Sequence, residues 1–142
     1  MIGIDSNILV QLAVSDHPVH LPTVAAVAAQ LSAGSGLVIP ALVITEFLHI
    51  ATDTRRFSYP LTMTEAVDWT STLLANPAVK VAEASGASIE QTLNWMRQFN
   101  LGRKRILDTH LAAILRTAGV PRLLTSNPAD FAVFGVLELV TP

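Results

Sequence analysis

Short apolar runs alternate along the chain with longer segments in which apolar residues recur every three or four positions. Runs of that length are typical of buried strands, and the longer periodicity is typical of helices. Because strand and helix patterns alternate, the chain is predicted to be an α/β protein with three layers, α/β/α, and a mainly parallel central sheet. The predicted strands are Ile2–Ile4, Leu37–Ile39, Val79–Val81, Arg122–Thr125 and Leu137–Val140.

Local signals mark where several helices begin and end. Thr62 and Glu65 have the spacing of a capping box, and Gly119 follows the helical pattern of residues 106–117 at the position where glycine ends helices. Ser88 and Gln91 have the same capping spacing. They predict a helix that starts near Ser88.

The apolar residues of this last helix are expected to face the core. Ile89, Leu93 and Met96 recur at helical spacing. They would then form its buried stripe.

Composition is consistent with one compact domain over residues 1–142. The chain is 51% hydrophobic and only 14% charged, which excludes intrinsic disorder. The most apolar stretch, residues 36–51, is too short for a membrane helix and contains Glu46 and His49. The N-terminus has no basic segment, so no signal peptide is predicted. We therefore expect a soluble cytoplasmic protein, and its surplus of apolar residues predicts oligomerisation.

Cysteine content and net charge narrow the possible chemistry. The chain has no cysteine and a formal net charge of −2. Disulfides, thiolate nucleophiles and zinc–thiolate sites are excluded. Any binding of nucleic acid must come from a local basic patch or a metal ion, because the molecule as a whole does not attract polyanions.

The few acidic residues occur at informative places. Asp5 follows the first predicted strand, and Asn127 and Asp130 follow the fourth. Asp108 opens a helix, and Glu46 interrupts an apolar helical segment. In open parallel sheets, ligands bind outside the carboxyl ends of the strands, so these side chains are expected to converge there.

Converging carboxylates repel one another unless a cation neutralises them. Oxygen ligands without thiolates or clustered histidines favour Mg²⁺, with Mn²⁺ as a plausible substitute. The chemistry that such a site supports is phosphodiester hydrolysis. Three of the acids also have a simpler interpretation: Asp5 and Asp108 as helix-capping residues and Asp130 as a surface turn residue. Glu46 has none as ready, because an unpaired buried Glu is costly.

Taken together, four segments resemble the motifs of PIN-domain proteins, and in size and layout the chain resembles the VapC toxins of type II toxin–antitoxin pairs. The resemblance covers essentially the whole chain. Each motif alone is common, but all four in this order are fairly specific. They are Ile2–Asn7, Thr45–Phe47, Leu107–Ala113 and Leu124–Phe131.

The resemblance implies a PIN-like fold and Mg²⁺-dependent cleavage of single-stranded RNA. It also implies a homodimer and inhibition by a cognate antitoxin protein. Asp5, Glu46 and Asp108 would be catalytic and metal-binding acids.

The fourth acidic position departs from the commonest PIN pattern. Many members carry Asp where this chain has Asn127, and the segment Thr125–Phe131 resembles a subset with Thr-x-Asn-x-x-acid-Phe. Asp130 would then supply the negative charge at the metal, and Asn127 a neutral oxygen to a metal-bound water. Thr125 and Asn7 are further candidates for orienting water or substrate. The number of metal ions stays open.

A basic cluster precedes the third acid. Arg103, Lys104 and Arg105 could bind RNA phosphates beside the acidic residues, and an ordinary solvated loop is an equal alternative.

Two other functions remain open. The chain could be a catalytically degenerate PIN-like module that only binds a partner, as Asn127 would allow. Less favoured is a phosphatase that uses Asp5 as its nucleophile.

Overall fold

A computed structural model describes residues 1–142 and contains five strands and seven α-helices. The strands are β1 (Ile2–Ile4), β2 (Leu37–Pro40), β3 (Val79–Ala82), β4 (Arg122–Leu124) and β5 (Glu138–Val140). The helices are α1 (Ser6–Ala13), α2 (His20–Ser32), α3 (Ala41–Ala51), α4 (Met63–Leu74), α5 (Gly86–Gln98), α6 (Ile106–Thr117) and α7 (Pro128–Ala132). A 3₁₀ turn, Arg103–Arg105, leads directly into α6. None of the helices combines the length and the apolar content needed to cross a bilayer.

The five strands form one sheet in the order β3-β2-β1-β4-β5, and every neighbouring pair is parallel. The chain therefore builds outward from β1 to β2 and β3 on one side, and later to β4 and β5 on the other. The predicted α/β class and parallel sheet are confirmed. The direction of strand addition reverses at β1, which puts a crevice between the carboxyl ends of β1 and β4.

The helices separate into two layers because crossovers between parallel strands are right-handed. Helices α1–α4 connect strands that step in one direction across the sheet, and α5–α7 connect strands that step back. Contacts follow this division: α1 packs against α2 and α3, and α3 against α4, whereas α6 packs against α5 and α7.

The sheet and α6 make the centre of the core. The largest fully buried side chains include Phe47, Phe131 and Ile39. Along α6, an unbroken buried run from Leu111 to Leu115 lies within the core. Strand β1 has only three residues, but all three are buried. Their burial fixes the position of Asp5, the residue that follows the strand.

The prediction for the face and the start of α5 is wrong. The capping box is made by Ser85 and Ser88, one turn earlier than expected. Ser88, Thr92 and Trp95 are the buried residues. Trp95 stacks on Phe134, two residues after α7, with ring centroids 4.8 Å apart, and burial of this large ring orients the helix.

The expected apolar stripe of α5 consequently faces outward. Ile89 and Leu93 are 48% and 57% exposed, and Met96 is half-buried. The large aromatic ring of Trp95 occupies the inner face of the helix, and the aliphatic side chains of Ile89 and Leu93 lie on the outer face.

We expect Gly3→Ala to destabilise the protein by about 1–3 kcal/mol, because the core has no space for the added methyl group. A Cβ at Gly3 would lie 2.4 Å from Leu115 Cδ1 and 3.2 Å from the carbonyl oxygen of Arg122. Urea unfolding followed by circular dichroism measures the effect.

Gly86→Ala is the matched control, since nothing lies within 4 Å of a Cβ at Gly86. Its unfolding free energy should stay within about 0.5 kcal/mol of the wild-type value. Equal destabilisation by both substitutions would contradict the packing argument.

Candidate functional site

The crevice between β1 and β4 contains the first acidic side chain. Asp5 comes directly after β1, and its backbone N–H donates to the carbonyl oxygen of Leu124 at the end of β4, at 3.2 Å. The buried Thr125 follows β4, and its hydroxyl donates to Asp5 Oδ2 at 2.7 Å. The sheet thus joins residues that are 120 positions apart in the sequence.

Asp5 is a buried carboxylate held by hydrogen bonds. Burial raises its pKa, while hydrogen bonds from Thr125, Ser6 and Asn7 lower it and partly offset the cost of the charge. Although Asp5 stands before α1, its side chain makes no capping hydrogen bond to that helix. The helix-capping interpretation of Asp5 therefore does not account for this side chain.

Glu46 reaches the same region from α3. Burial raises its pKa most, and the negative charge of Asp5 adds to the increase. A hydrogen bond from Ser6 lowers it. Ser6 therefore interacts with both acids, a role that nothing in the sequence pattern indicated.

Asp108, in the first turn of α6, has the strongest shift. Burial first, and then the charges of Asp130, Asp5 and Glu46, raise its pKa to about 6, whereas the charge of Arg105 lowers it. All four predicted acids thus contribute to one electrostatic environment. This coupling requires that folding bring them near one another.

The acids are near one another but are not arranged as ligands around one point. No group of three acidic or histidine side chains has the arrangement of a metal site. The donor set nevertheless suits a hard divalent cation, since it consists of carboxylate oxygens, and burial and repulsion disfavour the charged forms of Glu46 and Asp108. An ion would have to draw these side chains closer together.

Thr125 and Asn127 lie on the turn after β4. The backbone N–H of Asn127 donates to Thr125 Oγ1 at 3.0 Å, so the same hydroxyl accepts from Asn127 and donates to Asp5. The Asn127 residue itself is exposed at the crevice. Thr125 is thereby fixed on Asp5, and Asn127 stays open to solvent.

A buried network that sequence reasoning missed supports this turn. Gln11 Nε2 donates to Ser126 Oγ at 2.9 Å, and Thr23 Oγ1 donates to Gln11 Oε1 at 2.8 Å. These contacts join α1 and α2 to the segment after β4. No local pattern could reveal them, because Gln11 and Ser126 are 115 residues apart.

The three basic residues before α6 have different surroundings. Arg103 and Lys104 are exposed. Arg105 turns inward, and its Nε is 3.5 Å from Asp108 Oδ2 while its Nη1 is 3.6 Å from Asp130 Oδ1. It also donates to the carbonyl oxygen of Asp130. The cluster is thus divided between solvent and the acidic crevice.

We expect Asp108→Asn to stabilise the protein above pH 6 by about 1–2 kcal/mol, after allowing for solvent screening. A raised pKa means that the folded state binds the proton more tightly, so the charged form costs stability as the pH rises from about 4 to about 6. The gain should therefore vanish as the pH falls through this range. Thermal unfolding in EDTA between pH 4 and pH 8 measures it.

A stability difference between wild type and Asp108→Asn that does not change with pH would contradict this prediction. Asp68→Asn, at an exposed position on α4, is the control. We expect no comparable pH-dependent gain for it.

Comparisons with known proteins agree with the fold described above. The PIN domain family matches residues 2–136. No curated protein matches the chain in sequence. Among solved structures, VapC20 of Mycobacterium tuberculosis, a toxin that cleaves the sarcin–ricin loop, has a TM-score of 0.70 at 19% identity, with 100% of both chains covered.

Two other structures are similar. A toxin–antitoxin complex from Klebsiella pneumoniae has a TM-score of 0.69 at 20% identity, covering 100% of this chain and 98% of that one. VapBC2 of Rickettsia felis, bound to a DNA fragment from its promoter, has a TM-score of 0.69 at 15% identity, covering 100% and 99%. At these identities the likeness shows the fold. With the match over residues 2–136, the chain belongs to the PIN domain family, and its fold is that of VapC toxins.

Proposed function

We propose that this protein is a Mg²⁺-dependent endoribonuclease that hydrolyses phosphodiester bonds in single-stranded RNA, and that it is the toxin of a toxin–antitoxin pair. The observation that carries the proposal is the electrostatic coupling of four carboxylates at the crevice between β1 and β4. Three of them, Asp5, Glu46 and Asp130, raise the pKa of Asp108. Such a concentration of negative charge disfavours a polyanionic substrate unless a cation is bound.

In this proposal Asp5, Glu46, Asp108 and Asp130 hold Mg²⁺, or Mn²⁺ in its place. When bound, the ion supplies an activated water and neutralises charge on the phosphate. Other residues position the carboxylates and the water.

The neighbouring polar side chains have positioning roles. Thr125 fixes one oxygen of Asp5 through its 2.7 Å hydrogen bond. Asn7 also interacts with Asp5 and lowers its pKa, which favours the charged carboxylate. Asn127, exposed beside them, offers an amide to water or to the substrate.

The partners follow from the same proposal. A similar fold in a sarcin–ricin loop cleaving toxin supports RNA as the substrate. Similar chains in toxin–antitoxin complexes support a cognate antitoxin as the inhibitor.

A homodimer is also part of the proposal. Ile89 and Leu93 on α5 are exposed, and burial of these side chains against a second copy would remove apolar surface from water.

One observation favours the alternative of a partner-binding module without catalysis. Arg105 is paired with Asp108 and Asp130, two of the acids that the nuclease would need for its ion. Measured cleavage of RNA decides between the two functions.

Asp5→Asn and Asp108→Asn should each lower RNA cleavage by about 100-fold or more, because each removes an anionic oxygen from the proposed ion site. The measurement is cleavage of a fluorescent single-stranded RNA in Mg²⁺, with folding checked by circular dichroism. EDTA should abolish the wild-type activity.

Asp68→Asn, which removes an exposed carboxylate on α4, should cleave like the wild type. Full activity in Asp5→Asn or Asp108→Asn, or wild-type activity that survives EDTA, would refute the metal-dependent nuclease.

Arg103 and Lys104 are proposed to bind RNA phosphates, because both are exposed and neither forms an ion pair within the chain. Replacement of both by Ala should reduce the slope of log affinity against log salt by about 1.4, which is 0.7 per phosphate contact in a single strand. Fluorescence anisotropy with RNA in Ca²⁺, which slows hydrolysis, measures the slope.

Arg116→Ala is the control for this effect. Arg116 is exposed at the last turn of α6, about 12 Å along the helix from Asp108. A double variant whose salt slope equals that of the wild type would exclude this contact.

A further inference from the structure

We propose that Arg105 is the internal counter-cation of the acidic crevice, and that a divalent ion must compete with it for Asp108 and Asp130. This inference rests on the proposed metal site. It assigns to Arg105 a positioning role that differs from RNA binding by its exposed neighbours.

The geometry sets Arg105 apart from Arg103 and Lys104. Its guanidinium is within 3.6 Å of one carboxylate oxygen of Asp108 and one of Asp130. These two acids are 22 residues apart, on α6 and α7, and Arg105 is the contact that joins them. It therefore offsets part of their mutual repulsion.

The guanidinium of Arg105 is positively charged, but its contacts with the two carboxylates are long. Both ion-pair distances are longer than those of a good charge-assisted hydrogen bond. In addition, Arg105 Nε is buried and has no hydrogen-bond partner. A buried donor without an acceptor costs free energy, and the guanidinium's one direct hydrogen bond goes to the carbonyl oxygen of Asp130 and not to a carboxylate.

The backbone of Arg105 is held in place, whereas its guanidinium could be displaced from the two carboxylates by an ion. It ends the 3₁₀ turn, and its carbonyl oxygen accepts from Thr109 Oγ1. The long side chain can leave the two carboxylates, and give up its hydrogen bond to the Asp130 carbonyl oxygen, while this backbone contact stays in place. A divalent ion concentrates two charges in a smaller radius, so it can replace the guanidinium where several carboxylate oxygens gather around it.

Competition has a thermodynamic consequence. If Arg105 and the ion exclude each other at Asp108 and Asp130, removal of the guanidinium must strengthen ion binding. If Arg105 instead supports the bound ion, its removal must weaken binding. The sign of the change therefore tests the inference.

The experiment measures Mn²⁺ binding by isothermal titration calorimetry for the full chain at pH 7.5, without RNA. Arg105→Gln should bind Mn²⁺ about fivefold or more tightly than the wild type. Arg105→Lys keeps the positive charge and should bind much as the wild type does.

Arg103→Gln is the matched control, because it makes the same charge change two residues away on an exposed side chain. It should change Mn²⁺ affinity by less than about twofold, since its charge is screened by solvent. Equal effects of Arg103→Gln and Arg105→Gln, or weaker binding by Arg105→Gln, would overturn the inference.

A second readout is independent of ion affinity. In EDTA, Arg105→Gln should unfold at a lower temperature than the wild type at pH 7.5, because the acids lose their counter-cation. Addition of Mn²⁺ should abolish this difference. An unfolding temperature that matches that of Arg103→Gln in EDTA would contradict a counter-cation role.

The outcomes separate this inference from the proposed function. Mn²⁺ binding by the wild type without tighter binding by Arg105→Gln rejects the inference alone. No Mn²⁺ binding by the wild type but binding by Arg105→Gln supports the inference and favours a module in which Arg105 blocks the site. No binding by either variant rejects both the metal site and the inference.

Discussion

Electrostatic repulsion among four carboxylates is the constraint on which the site depends. Burial, together with the charges of Asp130, Asp5 and Glu46, raises the pKa of Asp108 to about 6. Burial alone would already disfavour these charges. A fold that keeps four such groups together must offset their repulsion with hydrogen bonds, a cation, or both.

The hydrogen bonds come from the crevice itself. Asp5 is the most buried of the four, and hydroxyl groups of Thr125 and Ser6 face its two oxygens. Because Thr125 follows β4 and Asp5 follows β1, this interaction exists only when the two strands are adjacent. The parallel β1–β4 pairing is thus both a structural element of the sheet and the means by which the first acid is positioned.

The cation is the part of the balance that can change. Arg105 supplies a positive charge to Asp108 and Asp130 from within the chain, at distances that leave these contacts weak. Arg105 neutralises the same carboxylates that an ion would, but it carries one positive charge where a divalent ion would carry two. It also explains why the acids are close without surrounding one point: a planar guanidinium bridges two carboxylates, whereas an ion gathers several oxygens around itself.

The sequence by itself determined the α/β class, the parallel sheet and the approximate position of every strand. The inner strands are buried on both faces and read as short apolar runs, and the edge strands β3 and β5 keep enough apolar residues to be recognised although they are partly exposed. It also predicted Gly119 after α6, which has the positive φ that glycine adopts readily. The acidic positions could be proposed because strand ends are visible in the sequence and parallel strands end at one edge of the sheet.

Only the tertiary structure decided which partners meet across the chain. The inner face of α5 depends on Trp95 packing against Phe134, the support of Ser126 depends on Gln11, and the inward turn of Arg105 depends on Asp130 in α7. Each of these contacts joins residues far apart in sequence, where no local periodicity carries information. Short-range patterns fix the elements, but side-chain pairing is decided by the packing of those elements against one another.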